Sequence, residues 1–165
     1  MERLILFRHG KAEARAESGE DFDRDLVERG RSDARLTAEA IKAAGFEIDR
    51  ALVSAACRAQ GTWEAAGEVF PQAVVETRPE LYESDARTLL KAGQTPLGGT
   101  VAVVAHNPGL QILAITLAGQ SGARSYEKRL RQGFPTAAAA VFGFRDDRVE
   151  ALGLFYPRDY GGGPD

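Results

Sequence analysis

Two histidines occur in the 165 residues, and each directly follows an apolar run: His9 after "LILFR" and His106 after "TVAVVA". Arg8 adjoins the first, Arg58 follows another apolar run at 51–54, and Glu83 lies shortly after a fourth at 74–77. A neutral imidazole, with an ordinary pKa of about 6.5, is available as a nucleophile near pH 7. A guanidinium presents a rigid fork of donors that matches phosphoryl oxygens, so Arg8 and Arg58 can clamp one phosphoryl group. Gly10 leaves room for a phosphate to approach the backbone, and equally suits a tight turn after the first run. Asn107 and Pro108 read as the N-cap and first residue of a helix whose positive end would face the same pocket. These residue types suit transfer of a phosphoryl group to and from His9.

Such residues need a frame that gathers them. Short apolar runs alternate with longer stretches of helical period, which predicts an α/β fold. Strands are expected at 4–7, 51–54, 74–77 and 100–105, with a terminal hairpin of 138–144 and 149–154 around "RDDR". Helices are expected at 27–44, stopped by Gly45, from about 59 to Pro71 with Ala59, Trp63, Ala66 and Phe70 on one face, at 85–92, and from 108 to 117. "GQTPLGG" is turn-rich, and 21–26 is polar and reads as loop. Ligands of open α/β sheets bind beyond the carboxyl ends of the strands. Parallel strands would therefore bring Arg8, His9, Arg58, Glu83 and His106 to one edge.

The length suits one domain, taken as 1–158, with a flexible tail at 159–165 that has little to bury. A net charge of −3 argues against nucleic acid as a partner. The single cysteine, Cys57, excludes an intrachain disulfide framework, and it reads as a small packing residue. Neither a membrane span nor a signal peptide is legible, so the expected location is the cytoplasm. His9, His106 and Cys57 are too few soft ligands for a structural zinc site.

These stretches resemble the histidine phosphatase superfamily, whose first strand ends in an Arg-His-Gly triplet, here Arg8-His9-Gly10. "LVERGRSDA" is similar to the family's "LTERGRRDA", with Val27 in place of the capping threonine. "SAACRAQGTWE" is similar to "SPLxRAxQTAE", departing from it at Ala55 or Ala56 and at Gly61, and "VVAHNPGL" resembles "LVGHNPGL". The short chain and "FPTAAAAVFGF" resemble the small SixA-type phosphohistidine phosphatases, which have no large cap. The resemblance implies a single-domain, three-layer α/β fold with a mainly parallel sheet. It implies that His9 becomes phosphorylated while Arg8, Arg58 and His106 hold the phosphoryl oxygens, with no metal or organic cofactor.

Ester-cleaving relatives use a carboxylic acid to protonate the leaving oxygen, and Glu83 of "LYE" matches that position; the alternative is a solvated loop residue. A phosphoimidazole protonated on its other nitrogen leaves as neutral imidazole without such help. The expected partner is therefore a phosphohistidine-bearing protein or a small phosphorylated metabolite, with no nucleic acid and no membrane. A phosphatase of small esters and a phosphate-binding module without turnover remain alternatives. Lys11 reads as a surface lysine, and Arg24 as either a loop or a substrate-facing residue.

Overall fold

The computed structural model describes residues 2–94 and 98–163. The central three residues of the turn-rich "GQTPLGG" and the last two of the tail lie outside them. Strands β1 (Arg3–Arg8), β2 (Arg50–Ser54), β3 (Val74–Arg78) and β4 (Thr100–Ala105) alternate with helices α1 (Glu28–Ala43), α2 (Cys57–Gly67) and α3 (Ala86–Gly93). Helices α4 (Gly109–Ser121) and α5 (Arg124–Gln132) precede the hairpin β5 (Ala139–Arg145) and β6 (Arg148–Phe155). The six strands form one sheet in the order β3-β2-β4-β1-β5-β6. The first four run parallel, and β5 and β6 are antiparallel. This is the single-domain, mainly parallel three-layer fold expected from the sequence.

The apolar runs are continuous because β1 and β4 are covered on both faces. Alternate side chains divide between two cores. Leu4 and Leu6 pack with Leu52, Val101 and Val103 against α3, α4 and Leu130 of α5. Ile5 and Phe7 pack with Val53 and Val104 against Ala38 and Ile41 of α1 and Ala59, Trp63 and Ala66 of α2. Val27 sits at the N-cap of α1 with no side-chain acceptor to offer, and Gly45 follows the helix in the left-handed region at φ 94°.

Two expectations shift in detail. Helix α2 ends at Gly67, short of Pro71, and the chain leaves it through Val69 N–H to Ala66 O and Phe70 N–H to Gly67 O bonds. A Cβ at Gly67 would stand 2.9 Å from Trp63 Nε1, so the indole closes over that last turn. Gly61 packs against the loop before α1, where its Cβ would lie 3.3 Å from both Asp25 Oδ1 and Leu26 Cδ1. The stretch expected as a free tail is laid against α1 as far as Gly163. Tyr160 stacks on Phe155, and Gly163 N–H donates to Asp33 Oδ1 at 3.3 Å.

Candidate active site

In the parallel pairing of β1 and β4, Arg8 lies opposite Ala105, so the next residues, His9 and His106, emerge side by side. Their rings are 5.2 Å apart at 50°. Strand β2, on the other side of β4, ends in Ser54 and hands over to α2, which carries Arg58 in its first turn. A cavity of about 420 Å³ opens there, lined by Arg8, His9, Lys11, Ala12, Arg24, Arg58, His106, Asn107 and Thr136. Four of these side chains are cations and none is a carboxylate, which makes an electropositive pocket in an acidic chain.

His9 is almost buried, and its Nδ1 lies 2.8 Å from the Gly10 carbonyl oxygen. A carbonyl only accepts, so Nδ1 carries the proton and Nε2 keeps its lone pair. Burial pushes the His9 pKa down to about 3; the Gly10 hydrogen bond opposes this, and the charges of His106, Arg8 and Arg58 add to it. His106 Nε2 lies 2.8 Å from Ser54 Oγ, which itself accepts the Ala56 N–H at 3.3 Å. The Ser54 hydroxyl can then donate to Nε2, which leaves the proton of neutral His106 on Nδ1. That buried Nδ1 has no hydrogen-bond partner among the described residues. Burial first, then the Arg58 and Arg8 charges, push the His106 pKa down to about 4 against the opposing pull of Asp21. Both imidazoles are therefore neutral at pH 7.

The arginines are anchored from behind. Arg8 Nη1 donates to the Phe134 carbonyl at 2.9 Å, and Asn107 Nδ2 donates to the same oxygen at 3.0 Å. Arg58 donates from Nη1 to the Asp21 carbonyl at 2.8 Å and from Nη2 to Asp21 Oδ2 at 3.0 Å. Asp21 also accepts from Tyr82 Oη at 2.7 Å and from Arg24 Nη1 at 2.8 Å. These donors, Tyr82 first, hold the Asp21 carboxyl well below the usual carboxylate range.

The structure therefore gathers Arg8, His9, Arg58, His106 and Asn107 at one cavity, and three expectations need correction. Asn107 is not an N-cap: its amide is drawn to Phe134 O, and Pro108 occupies the position before α4 with no side-chain cap. Leu110 N–H is bonded to His106 O, and no residue of α4 lines the cavity, so that helix end is not the anion site. The absence of a side chain at Gly10 serves packing: a Cβ there would stand 2.4 Å from Gly30 O. Glu83 lies outside the cavity, exposed and in the left-handed region at φ 55°. Lys11 and Arg24 face the pocket. Sequence reasoning missed Ser54, Asp21, Tyr82, Thr136 and Gly30; only Ser54, ending a strand beside the others, carried a signal that could have been read.

The model of the histidine phosphatase superfamily (branch 1) matches residues 4–95. The chain belongs to that superfamily. Its fold matches a SixA-type structure from Agrobacterium tumefaciens at 30% identity and a TM-score of 0.80, over 94% of this chain and 98% of that one. A structure of the protein histidine phosphatase SixA complexed with tungstate matches at 26% identity and a TM-score of 0.77, over 95% and 98%. An uncharacterized protein of Picosynechococcus is 31% identical over 78% of this chain and 88% of its own length. This phosphatase is thus SixA-like in fold and extent. No helix among the described residues is long and apolar enough to cross a membrane.

Proposed function

We propose that this phosphatase hydrolyses phosphohistidine in a protein through a phosphoryl intermediate on His9. One observation carries the substrate: among the described residues, the cavity lining includes four cations and two imidazoles and no carboxylate. Glu83 stands outside, and Asp21 is held ionised behind Arg58. An alkoxide leaving group needs a proton from a general acid, worth about 10²–10⁴-fold, and no carboxylic acid is placed to give one. An imidazole protonated on its other nitrogen needs none. Tungstate in the SixA relative, a tetrahedral oxyanion, is consistent with a pocket built for phosphoryl oxygens.

In this reading His9 Nε2 attacks phosphorus and the P–N bond of the substrate breaks. The electron pair returns to the substrate imidazole, which departs neutral with its other N–H intact. Phosphorylated His9 is then cationic, and its Nδ1–H bond to Gly10 O stabilises that charge. Water attacks phosphorus next, the His9 P–N bond breaks, and dihydrogen phosphate leaves with a neutral His9 behind. Arg8, Arg58 and the Nδ1–H of His106 hold the phosphoryl oxygens during both transfers. Loss of any one such donor costs on the order of 10²–10³ in rate. Lys11 and Arg24 add attraction at the mouth.

The test is phosphate release from a phosphohistidine-bearing protein, with His9→Ala as background. Turnover that disappears in His9→Ala and survives Glu83→Gln is the expected result. Faster turnover of alkyl phosphates, with loss of activity in Glu83→Gln, would replace this substrate by a small ester. Tight phosphate binding without phosphorylated His9 would leave a binding module.

A further inference from the structure

Arg58 does not hold its own position. It is 6% exposed, and the Tyr82 ring covers it with the guanidinium carbon 5.9 Å from the ring centroid. Two of its five N–H groups go to one residue, through the Asp21 carbonyl at 2.8 Å and Oδ2 at 3.0 Å. A single acceptor would let the guanidinium swing about one bond, whereas two acceptors fix its plane. The carboxylate is fixed in turn: Tyr82 Oη donates to Oδ2 at 2.7 Å, and Arg24 Nη1 to Oδ1 at 2.8 Å. Asp21 belongs to a short 3₁₀ turn at the tip of the loop between β1 and α1. The root of that loop is closed by the Ala12–Leu26 bridge and by Glu13 N–H to Asp25 O at 2.8 Å. Tyr82 comes from the opposite wall, just after a second 3₁₀ turn at Pro79–Leu81. Its ring also meets His106 edge to face at 5.5 Å.

We propose that Asp21 is a positioning residue: a carboxylate anchored by Tyr82 that fixes the plane of Arg58 and aims its remaining donors into the cavity, without itself touching the phosphoryl group. The inference rests on the role given to Arg58 above. Asp21 is a poor candidate for any other task at the site, since it is absent from the cavity lining and all its donors hold it ionised. The loop that carries it is thereby fastened to α2 and to the β3–α3 connection through one side chain.

The test compares Asp21→Asn, Tyr82→Phe and the double variant. Three quantities are read: kcat and KM with phosphoramidate, the Kd of inorganic phosphate, and the ¹⁵N-resolved Nη2–H resonance of Arg58. Asparagine keeps the shape, but only one of its two terminal atoms accepts, so it cannot serve Arg58 and Tyr82 at one position and Arg24 at the other. In Asp21→Asn we expect kcat to fall roughly 10–100-fold, the scale of a misaligned catalytic group. KM and the phosphate Kd stay within about threefold, because removing a negative charge favours the anion while poorer alignment opposes it. Tyr82→Phe lowers kcat less, and the double variant is no worse than Asp21→Asn, because both changes act through one carboxylate. The Arg58 Nη2–H signal, bonded to Asp21 Oδ2 at 3.0 Å, is protected in the unmutated protein and lost in Asp21→Asn. Folded Asp21→Asn with unchanged kcat, additive losses in the double variant, or a parallel fall of stability, KM and phosphate affinity would each overturn the proposal. Should the unmutated protein turn over no P–N substrate, the substrate reading fails on its own. The Arg58 signal then decides: lost in Asp21→Asn it supports the positioning role, and unchanged it refutes it.

Discussion

Alanine at position 10 is a demanding test of how this site is assembled. A Cβ there would stand 2.4 Å from Gly30 O and 2.9 Å from its carbonyl carbon. Carbon–oxygen contacts begin at roughly 3.3 Å, so one backbone must move by about 0.9 Å. Neither side has a flexible end to yield, because Gly30 lies in the first turn of α1, with its N–H bonded to Val27 O at 2.9 Å. Gly10 is held as firmly: its N–H donates to Thr62 Oγ1 at 2.8 Å, and its carbonyl is the 2.8 Å partner of His9 Nδ1. Relief of the clash therefore shifts the group that fixes the His9 tautomer. Overpacking of this kind costs about 1–3 kcal/mol. For a chain of this size that lowers Tm by roughly 2–12 °C. A displacement near 1 Å at His9, the proposed nucleophile, costs on the order of 10²-fold in rate. The assay is a thermal melt beside mass-spectrometric detection of phosphorylated His9 after exposure to phosphoramidate. Gly119→Ala in α4 is the control, since its Cβ meets only Glu127 side-chain atoms at 3.8 Å. It should stabilise by about 0.5–1 kcal/mol. Gly10→Ala that melts with the unmutated protein and phosphorylates at its rate refutes the steric argument.

Two further outcomes follow from the imidazoles. The folded pKa values of His9 and His106, about 3 and about 4, lie below the unfolded value of 6.5, so the unfolded chain binds more protons between those limits. Stability from these groups is thus fully present above pH 6.5, is lost as pH falls toward 4, and flattens near 3, with each histidine worth on the order of a few kcal/mol. Urea midpoints should decline across that window, and His9→Gln should decline less steeply; parallel profiles would contradict the buried neutral His9. Ser54→Ala removes the hydroxyl 2.8 Å from His106 Nε2, which frees the tautomer, so kcat should fall about tenfold and stability by about 1–3 kcal/mol. Equal kcat in Ser54→Ala and the unmutated protein would make that bond incidental to turnover.

Much of the frame was legible because its signals are local. A run such as "TVAVVA" cannot lie at a surface, and α/β alternation then forces parallel strands whose carboxyl ends coincide. That logic brings Arg8, His9, Arg58 and His106 to one edge, where the cavity lies. It misplaced the start of α4, because the amide of Asn107 prefers the Phe134 carbonyl, 27 residues along the chain, to the helix behind it. It also left Glu83 open, and only the positive φ and exposed side chain show that this carboxylate stays out of the pocket.

What the sequence concealed is the shell behind the reacting groups, and the reason is distance along the chain. Gly10 meets Gly30, Asp21 meets Arg58 at a separation of 37 residues, and Arg8 meets the Phe134 carbonyl at 126. None of these contacts has a period or a spacing that one sequence displays. An aspartate in a polar loop reads the same whether it faces water or orients a buried arginine. Yet these contacts decide the chemistry. Residues 8–25 contain six carboxylates, and from composition alone any of them could have served as a general acid. Once Asp21 is spent on Arg58 and the other five stay outside the cavity lining, the pocket has no carboxylic acid from this loop for an oxygen leaving group. That is the ground for the proposed substrate, whose leaving atom already departs neutral.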